Sequence, residues 1–281
     1  MLASVRLCQF FDAIDTPLFF MSKTSTTIIR KLPEITVAFW MMKICATTLG
    51  ETAGDLFSMT MHIGYGMSSV LLLFFFIVVL ILQLLSKKYS PALYWMVILA
   101  TSTAGTTLSD YMDRTLGLGY LAGSSILVLL LIVTLTIWKA IEKTLSVEKV
   151  HTRRAEGFYW TTILFSNTLG TAFGDFLADD SGFGFFGSAL LISGVLLLIV
   201  FLYYYTAVSR VFLFWGAFVL TRPLGATVGD FLTKPVAKGG MNLGTIGSSA
   251  ILFLVLLILV LVSIYKIHKL NKQSISAKIQ Y

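Results

Sequence analysis

The sequence predicts an all-α polytopic membrane protein, with eight transmembrane helices arranged as four same-sense two-helix repeats around a pseudo-symmetry axis. Three observations favour this fold class. The composition is strongly apolar, the apolar stretches are long and numerous, and one motif recurs four times at near-constant spacing. Each observation also limits what the protein can do.

Composition places almost the whole chain in the membrane. The 281 residues are 57% hydrophobic and 12% charged, whereas soluble domains carry about 25% charged residues. A hydrocarbon core about 30 Å thick takes roughly 20 residues to cross. Stretches of that kind cover residues 35–56, 64–85, 92–112, 117–138, 157–178, 184–206, 211–232 and 243–265. No room remains for a soluble catalytic module, so we expect no enzyme and no cofactor.

Basic residues lie mainly on one side of the predicted membrane domain. Most of the 21 Lys and Arg fall in the two tails and in the loops that follow the second, fourth and sixth spans. By the positive-inside rule both termini are therefore cytoplasmic. The formal charge of +7 reflects this orientation, and we expect no nucleic-acid partner. Two cysteines, Cys8 and Cys45, indicate no disulfide framework.

Four segments of the chain align without a gap. Each has an aromatic-Trp pair, a Gly ten residues after the Trp, and an Asp five residues after that Gly. The members are Trp40, Trp95, Trp160 and Trp215; Gly50, Gly105, Gly170 and Gly225; and Asp55, Asp110, Asp175 and Asp230. Two spans return the chain to its starting side, so all four repeats have the same sense and favour an axis along the membrane normal.

The repeats set the domain organisation. Residues 1–34 form a cytoplasmic N-terminal extension, the repeats cover 35–88, 89–150, 151–208 and 209–265, and 266–281 form a cytoplasmic C-terminal tail. Each repeat Trp stands at the cytoplasmic end of its span, where we expect it to anchor at the lipid interface.

The repeated aspartates are the first candidate functional residues. Positions eleven, seven and four before each Asp lie within about 40° of it on a helix, and in three repeats this stripe is lined by hydroxyl groups. Four such stripes facing one axis would form a cavity that narrows to a ring of carboxylates. Hard oxygen ligands of this kind suit Mg, Ca or Mn. Alternatively, each Asp caps the following helix and the motif is a folding device.

Glu51 is the acidic residue that no capping role explains. It precedes Asp55 by one helical turn, and two carboxylates at that depth need a cation, a proton or a basic partner. Lys43 and Arg222 are the candidate gating or charge partners within spans, although we expect Lys43 rather to extend its amine to the cytoplasmic interface.

Met59 and His62 would continue the acidic face if the helix ran on beyond Asp55. A Met-His pair would admit softer ions such as Mn, Co or Zn. Both residues occur in one repeat only, so the indication is confined to that repeat.

Three runs of the sequence match the pattern of a known protein family: TTLGETAGD, AGTTLSD and LTRPLGATVGDFLTKP. With them the chain resembles a bacterial inner-membrane protein family of unknown function, built from four two-span repeats with a Trp and a Gly-x4-Asp signature. The resemblance covers about 34–265 and implies topology more than activity. It implies these signature positions: Glu51, Asp55, Asp110, Asp175, Arg222 and Asp230. Ser109 stands where the other repeats have a Gly before the Asp.

The leading hypothesis is a membrane transporter for a cation, with a divalent metal ion as the favoured substrate and proton coupling through Glu51. The predicted ion-binding residues are Glu51, Asp55, Asp110, Asp175, Asp230, Thr48, Thr106 and Thr171, of which the five carboxylates would be the metal ligands. The alternatives are a membrane scaffold or sensor partner with structurally paired carboxylates, or an exporter of a small organic ion. The expected partners are the lipid bilayer and a small cation, and the oligomeric state stays open, with a homodimer as one option.

Overall fold

The computed structural model describes residues 32–86, 88–150 and 152–279, and over these ranges the chain is helical with no strand. The long helices are α1 (Val37–Asp55), α2 (Tyr65–Leu85), α3 (Pro91–Asp110), α4 (Gly119–Glu142), α5 (Arg153–Asp175), α6 (Gly184–Tyr205), α7 (Arg210–Thr233) and α8 (Thr245–Ile279). They coincide with the eight predicted apolar stretches, and α8 continues into the predicted tail. Most of the predicted N-terminal extension lies outside the described residues.

Local chemistry explains where several helices begin and end. Thr36 caps α1 by accepting from the backbone N–H of Phe39 at 3.3 Å, and Thr152 caps α5 in the same way. Pro91 is the first residue of α3, where its missing N–H costs nothing. Directly after the repeat Asp, α1, α3 and α5 each pass into a five-residue π-helical turn: Leu56–Thr60, Tyr111–Thr115 and Phe176–Asp180.

Five helices are long and apolar enough to cross a membrane, namely α2, α4, α6, α7 and the first 25 residues of α8. The chain is therefore a helical membrane protein. The three helices outside this set, α1, α3 and α5, bury threonines, serines and carboxylates instead of facing lipid. Exposed Leu, Ile, Val and Phe side chains cover much of α2, α4, α6 and α8, as a lipid-facing surface requires.

The inner helices α1, α3, α5 and α7 form a closed ring. α1 packs against α3, α3 against α5, α5 against α7, and α7 against α1. Each outer helix packs mainly on the inner helix of the next repeat: α2 on α3, α4 on α5, α6 on α7, and α8 back on α1. Each repeat therefore reaches over its neighbour, and the fourth repeat closes the ring on the first.

The signature glycines lie where neighbouring inner helices touch. A Cβ on Gly105 would lie 3.0 Å from the backbone of Asn167, and one on Gly225 would lie 2.8 Å from the backbone carbon of Thr47. Gly50 and Gly170 make the equivalent approach to Ser102 and Arg222. These contacts explain why the motif contains Gly, because only a residue without a side chain permits such close approach.

Aromatic side chains close one end of the ring. Trp95, Trp160 and Trp215 are buried there, which corrects the expectation that they anchor at the lipid interface, because the inner helices that carry them are covered by other helices. The fourth repeat tryptophan, Trp40, is partly buried. The loop between α4 and α5 lies over this end, since Trp215 Nε1 donates to the carbonyl of Leu145 at 3.0 Å and Val150 is buried.

Candidate functional site

Sixteen buried residues of the inner helices form four layers, spaced every fourth residue along each helix. From the aromatic end, the lysine layer is Lys43, Ile98, Ile163 and Phe218; the arginine layer is Thr47, Ser102, Asn167 and Arg222; the central layer is Glu51, Thr106, Thr171 and Ala226; and the acidic layer is Asp55, Asp110, Asp175 and Asp230. All of these side chains belong to residues that are at most 3% exposed. The four repeats contribute one residue to each layer.

An ion pair occupies the centre of the ring. Arg222 Nη1 donates to Glu51 Oε2 at 3.0 Å, and the two side chains are 0% and 3% exposed. The hydroxyls of Thr106 and Thr171 donate to the same Glu51 oxygen at 3.2 and 3.1 Å. Of the two candidate charge partners, Arg222 is the one that pairs with Glu51, and the pair brings one side chain from each repeat into a single network.

The second terminal nitrogen of Arg222 completes this network. Nη2 donates to the hydroxyl oxygens of Thr106 and Thr171 at 2.5 and 2.8 Å, and to the carbonyl of Ser102 at 3.3 Å. Each threonine hydroxyl can accept from Arg222 while it donates to Glu51. Charge-assisted hydrogen bonds of this kind are stronger than neutral ones, so the pair is held firmly in place.

The four aspartates of the acidic layer are bridged two by two. Lys234 Nζ lies 2.6 Å from Asp55 Oδ2 and 3.1 Å from Asp230 Oδ1. Arg114 bridges the other pair, with Nε 2.8 Å from Asp110 Oδ1 and Nη2 2.9 Å from Asp175 Oδ2. Each bridge joins two adjacent repeats, so a cation already stands between the carboxylates in both halves of the layer.

The aspartates do not cap the segments that follow them. Asp55, Asp110 and Asp175 have helical backbone angles, and their carboxylates make no capping hydrogen bond. No group of three or more His, Cys, Asp or Glu within the described ranges could hold a metal ion as it stands. In this arrangement the carboxylates serve as partners for Arg114 and Lys234.

Both bridging residues lie just beyond the ends of their helices and are partly accessible. The side chain of Arg114 is 33% exposed and that of Lys234 is 17% exposed. Burial lowers the pKa of Lys234, but Asp230 and Asp55 raise it by more, so its pKa lies above the ordinary value and the amine is charged. The acidic layer is thus connected to the surface through its two basic side chains.

Sequence reasoning missed Arg114 and Lys234, although both lie four residues after a repeat Asp. That spacing places them on the same helix face as Asp110 and Asp230. The equivalent positions in repeats 1 and 3 are Met59 and Asp179, so the basic residues alternate around the ring. The i, i+4 spacing from the repeat Asp, together with this alternation, could have predicted that Arg114 and Lys234 pair with the aspartates.

Three other predicted residues lie apart from the ion pairs. Thr48 is buried, but its hydroxyl donates to the carbonyl of Ile44 on its own helix at 3.0 Å. Lys43 is fully buried, which corrects the expectation that its amine reaches the cytoplasmic interface, because it sits in the ring below the arginine layer with its amine over Phe218. His62 is exposed, since the π-helical turn after Asp55 ends the face that it was expected to continue.

The fold and this core define a class, a helical membrane protein built from four internal repeats around a buried polar centre. The family model described as Repeat of Unknown Function (DUF347) matches the chain four times, at residues 38–89, 93–144, 158–209 and 213–267. The chain belongs to that family, and the predicted four-repeat family of unknown function is confirmed. No curated protein and no solved structure matches it.

Proposed function

We propose that the protein is a membrane transporter for a small cation and that the acidic layer is its binding site. The observation that supports this most directly is the pair of bridges made by Arg114 and Lys234. Each places a positive group between carboxylates of two repeats, at 2.6–3.1 Å. A dissolved cation that displaced either side chain would meet the same oxygen ligands.

Charge favours a divalent metal ion as the substrate. With all four carboxyls ionised, the two bridging cations leave the acidic layer with a net charge of −2, which one divalent ion neutralises. Carboxylate oxygens are also the ligands that Mg and Mn prefer. Glu51 stands one turn further along the axis, where it can take up a proton or meet the arriving ion once Arg222 releases it.

The topology of this transporter has eight spans in four same-sense repeats around an axis normal to the membrane. Both termini are cytoplasmic and the protein lies in the bacterial inner membrane. The aromatic end then faces the cytoplasm and the acidic layer lies in the outer half of the membrane. The described state is closed at the cytoplasmic end, and Arg114 and Lys234 are the most accessible members of the core.

Two other functions have a specific observation in their favour. The fully buried Glu51–Arg222 pair suits a membrane scaffold or sensor partner whose charges are structural. The ammonium group of Lys234 between two aspartates suits an exporter of a small organic amine, because a substrate amine would be held in the same way. The experiment separates these functions from metal transport.

The test uses a double variant, Glu51→Gln with Arg222→Gln, in reconstituted vesicles. Removing one member of a buried pair leaves the other uncompensated, at a cost of about 3 to 5 kcal/mol, so a single variant would confound folding with transport. The double variant leaves no unpaired charge and keeps hydrogen-bonding groups at both positions. We expect a melting temperature near that of the wild type and loss of Mn²⁺ transport, followed with an indicator dye.

The matched control is Glu148→Gln, an exposed carboxylate in the loop over the aromatic end, which should transport like the wild type. Mn²⁺ transport that survives in the double variant would contradict a role for Glu51 in transport and leave the core pair structural, and wild-type vesicles that do not carry Mn²⁺ would contradict the proposed metal transport itself. Wild-type vesicles that carry radiolabelled putrescine but not Mn²⁺ would favour the organic amine. Wild-type vesicles that carry neither would favour the scaffold.

A further inference from the structure

Lys43 presents a second charged group in the core that the cation-binding proposal does not use. It is fully buried, and its Nζ has no hydrogen-bond partner among the described residues. The other members of its layer, Ile98, Ile163 and Phe218, are apolar, and Nζ lies 4.0 Å from the centre of the Phe218 ring. An ammonium group in such a place loses its hydration and gains only a weak cation–π contact in return.

The adjacent arginine layer also has unused polar atoms. Arg222 Nε and the hydroxyl of Ser102 have no hydrogen-bond partner in the part of the chain that the structure describes, although both residues are fully buried. Asn167 is fully buried as well: its amide nitrogen donates to the hydroxyl of Thr101 at 2.9 Å, and its carbonyl oxygen has no partner within the described ranges. Buried polar atoms are nearly always satisfied, so unused donors in two adjacent layers of the ring favour an occupant between those layers. Here the unused groups are mostly donors.

The charges of the lysine, arginine and central layers also favour a bound anion. Between the aromatic end and the acidic layer, the inner faces carry Lys43 and Arg222 against Glu51 alone, a net charge of +1. Glu51 is already committed to Arg222 through Nη1. Successive layers are four residues apart, which is about 6 Å along a helix axis at 1.5 Å per residue, so the Lys43 and Arg222 side chains start from neighbouring levels of the ring.

We propose that a small monovalent anion of chloride size binds between Lys43 and Arg222 in the ring core. The ammonium of Lys43, the Nε–H of Arg222 and the hydroxyl of Ser102 donate to it. The anion restores charge neutrality and satisfies three donors that the protein leaves unused. It also gives Arg222 a second negatively charged partner beside Glu51, so the bound anion stabilises the arrangement in which the central pair is closed.

This anion site stands whether or not the acidic layer transports a cation, because its residues lie two and three layers away from the aspartates. The competing account is that Lys43 is an uncharged amine and that no ligand is present. The two accounts differ in what stabilises the protein: an anion in the first, and alkaline pH in the second.

The test is a chloride titration of the purified protein at constant ionic strength, with gluconate replacing chloride. We expect a saturable rise in melting temperature with chloride and saturable binding of ³⁶Cl⁻ at about one ion per chain. Lys43→Met keeps the length of the side chain in an apolar layer and removes the charge. It should weaken ³⁶Cl⁻ binding by at least about tenfold, as expected for the loss of one charge-assisted hydrogen bond.

The matched control is Lys139→Met, an exposed lysine near the end of α4, which should bind chloride like the wild type. Ser102→Ala is a second variant and should weaken binding without changing the charge. Equal ³⁶Cl⁻ binding in the wild type and Lys43→Met would overturn the proposal. A melting temperature that ignores chloride but rises from pH 7 to pH 9 would overturn it too, in favour of an uncharged Lys43.

Discussion

Burying a charged side chain in the ring costs desolvation free energy, and this cost helps to distinguish structural from functional roles. A buried ion pair is often no more stabilising than apolar side chains of the same volume. The central layer shows that the fold tolerates an apolar residue there, since Ala226 takes the place of Glu51 in repeat 4. Packing alone therefore does not explain why repeat 1 carries a carboxylate, which is the reason to look for a function.

At this scale the sequence predicted which residues meet but not how they pair. Glu51 stood out because a carboxylate inside a span needs a partner, and Arg222 was the basic residue in a span that could meet it. The partners of the aspartates were not found, because Arg114 and Lys234 lie in loops whose charge indicates membrane orientation. A basic residue in a loop can set the orientation of the chain in the membrane or pair with a buried carboxylate, and a hydropathy profile does not distinguish these two roles.

Asp113 offers a prediction about pH. It is buried beside Arg114 and accepts from the hydroxyl of Ser109 at 3.3 Å. Burial raises the pKa of Asp113 to about 6, against the opposing effects of Ser109 and Arg114. A carboxyl whose folded pKa exceeds its unfolded value of about 3.9 binds its proton more tightly in the folded state. Stability therefore falls as pH rises from about 4 to 6, and the full deficit is present above pH 6.

Asp113→Asn removes that deficit and keeps a hydrogen-bond acceptor for Ser109. We expect its melting temperature to exceed that of the wild type by a few degrees at pH 8, and the gain to shrink at pH 4.5. Asp179→Asn, in the corresponding turn of repeat 3 and exposed, should show little change at either pH. A gain of the same size at both pH values would contradict the assignment of the effect to ionisation.

The helices show why the inward face was only partly predicted. The expected stripe used positions eleven, seven and four before each Asp, whereas the layers in the structure use positions twelve, eight and four. A row of side chains four residues apart is inclined to the helix axis, so it faces a common centre only when the helices cross that centre at an angle. Periodicity within one helix gives the polar face, but the tilt depends on the neighbours.

Gly225 gives a test of this packing within one helix. A Cβ there would lie 2.7 Å from Thr47 Cβ and 2.8 Å from its backbone carbon, which cannot move aside easily. Overpacking of this kind typically costs about 1–3 kcal/mol. Gly216, also in α7, would place its Cβ 3.6 Å from Ile199, an ordinary contact.

We therefore expect Gly225→Ala to lower the melting temperature and Gly216→Ala to leave it unchanged or raise it, because Ala favours a helix over Gly by up to about 1 kcal/mol. Thermal unfolding of both variants in the same detergent would measure the difference. Equal effects would show that α7 and α1 do not approach each other as closely at Gly225 as the structure indicates.

At the scale of the whole molecule, the helical class could be predicted from the apolar composition of the chain, and the four repeats from the spacing of the motif. The closed ring could not be predicted in the same way. Hydropathy identifies the segments that lie in the membrane, but it does not show whether an outer helix packs on the inner helix of its own repeat or on that of the next repeat. The backbone has one arrangement repeated four times. The bridging cations Arg114 and Lys234 occur only in alternate repeats, so they have twofold regularity at most.

The same-sense arrangement of the repeats leads to a prediction about sidedness. If all four repeats have one orientation, the turn after each repeat Asp lies on the outer side of the membrane, and the loop between α4 and α5 lies inside. Each of these turns offers an exposed residue for cysteine labelling: Met61, Leu116, Ser181 and Met241. Glu148 is exposed in the loop between α4 and α5 and is the control for the opposite side.

Single cysteines at these positions, in a Cys8→Ser background, would be treated with a membrane-impermeant maleimide on intact cells. The remaining Cys45 is buried and its thiol lies 3.5 Å from the carbonyl of Leu252, so it should give little background. We expect all four turn positions to react and Glu148→Cys to react only after the membrane is opened. Labelling that alternates between repeats would rule out the same-sense arrangement. The reversed pattern would keep that arrangement but place the acidic layer on the cytoplasmic side, and an outward-facing ion site would then be wrong.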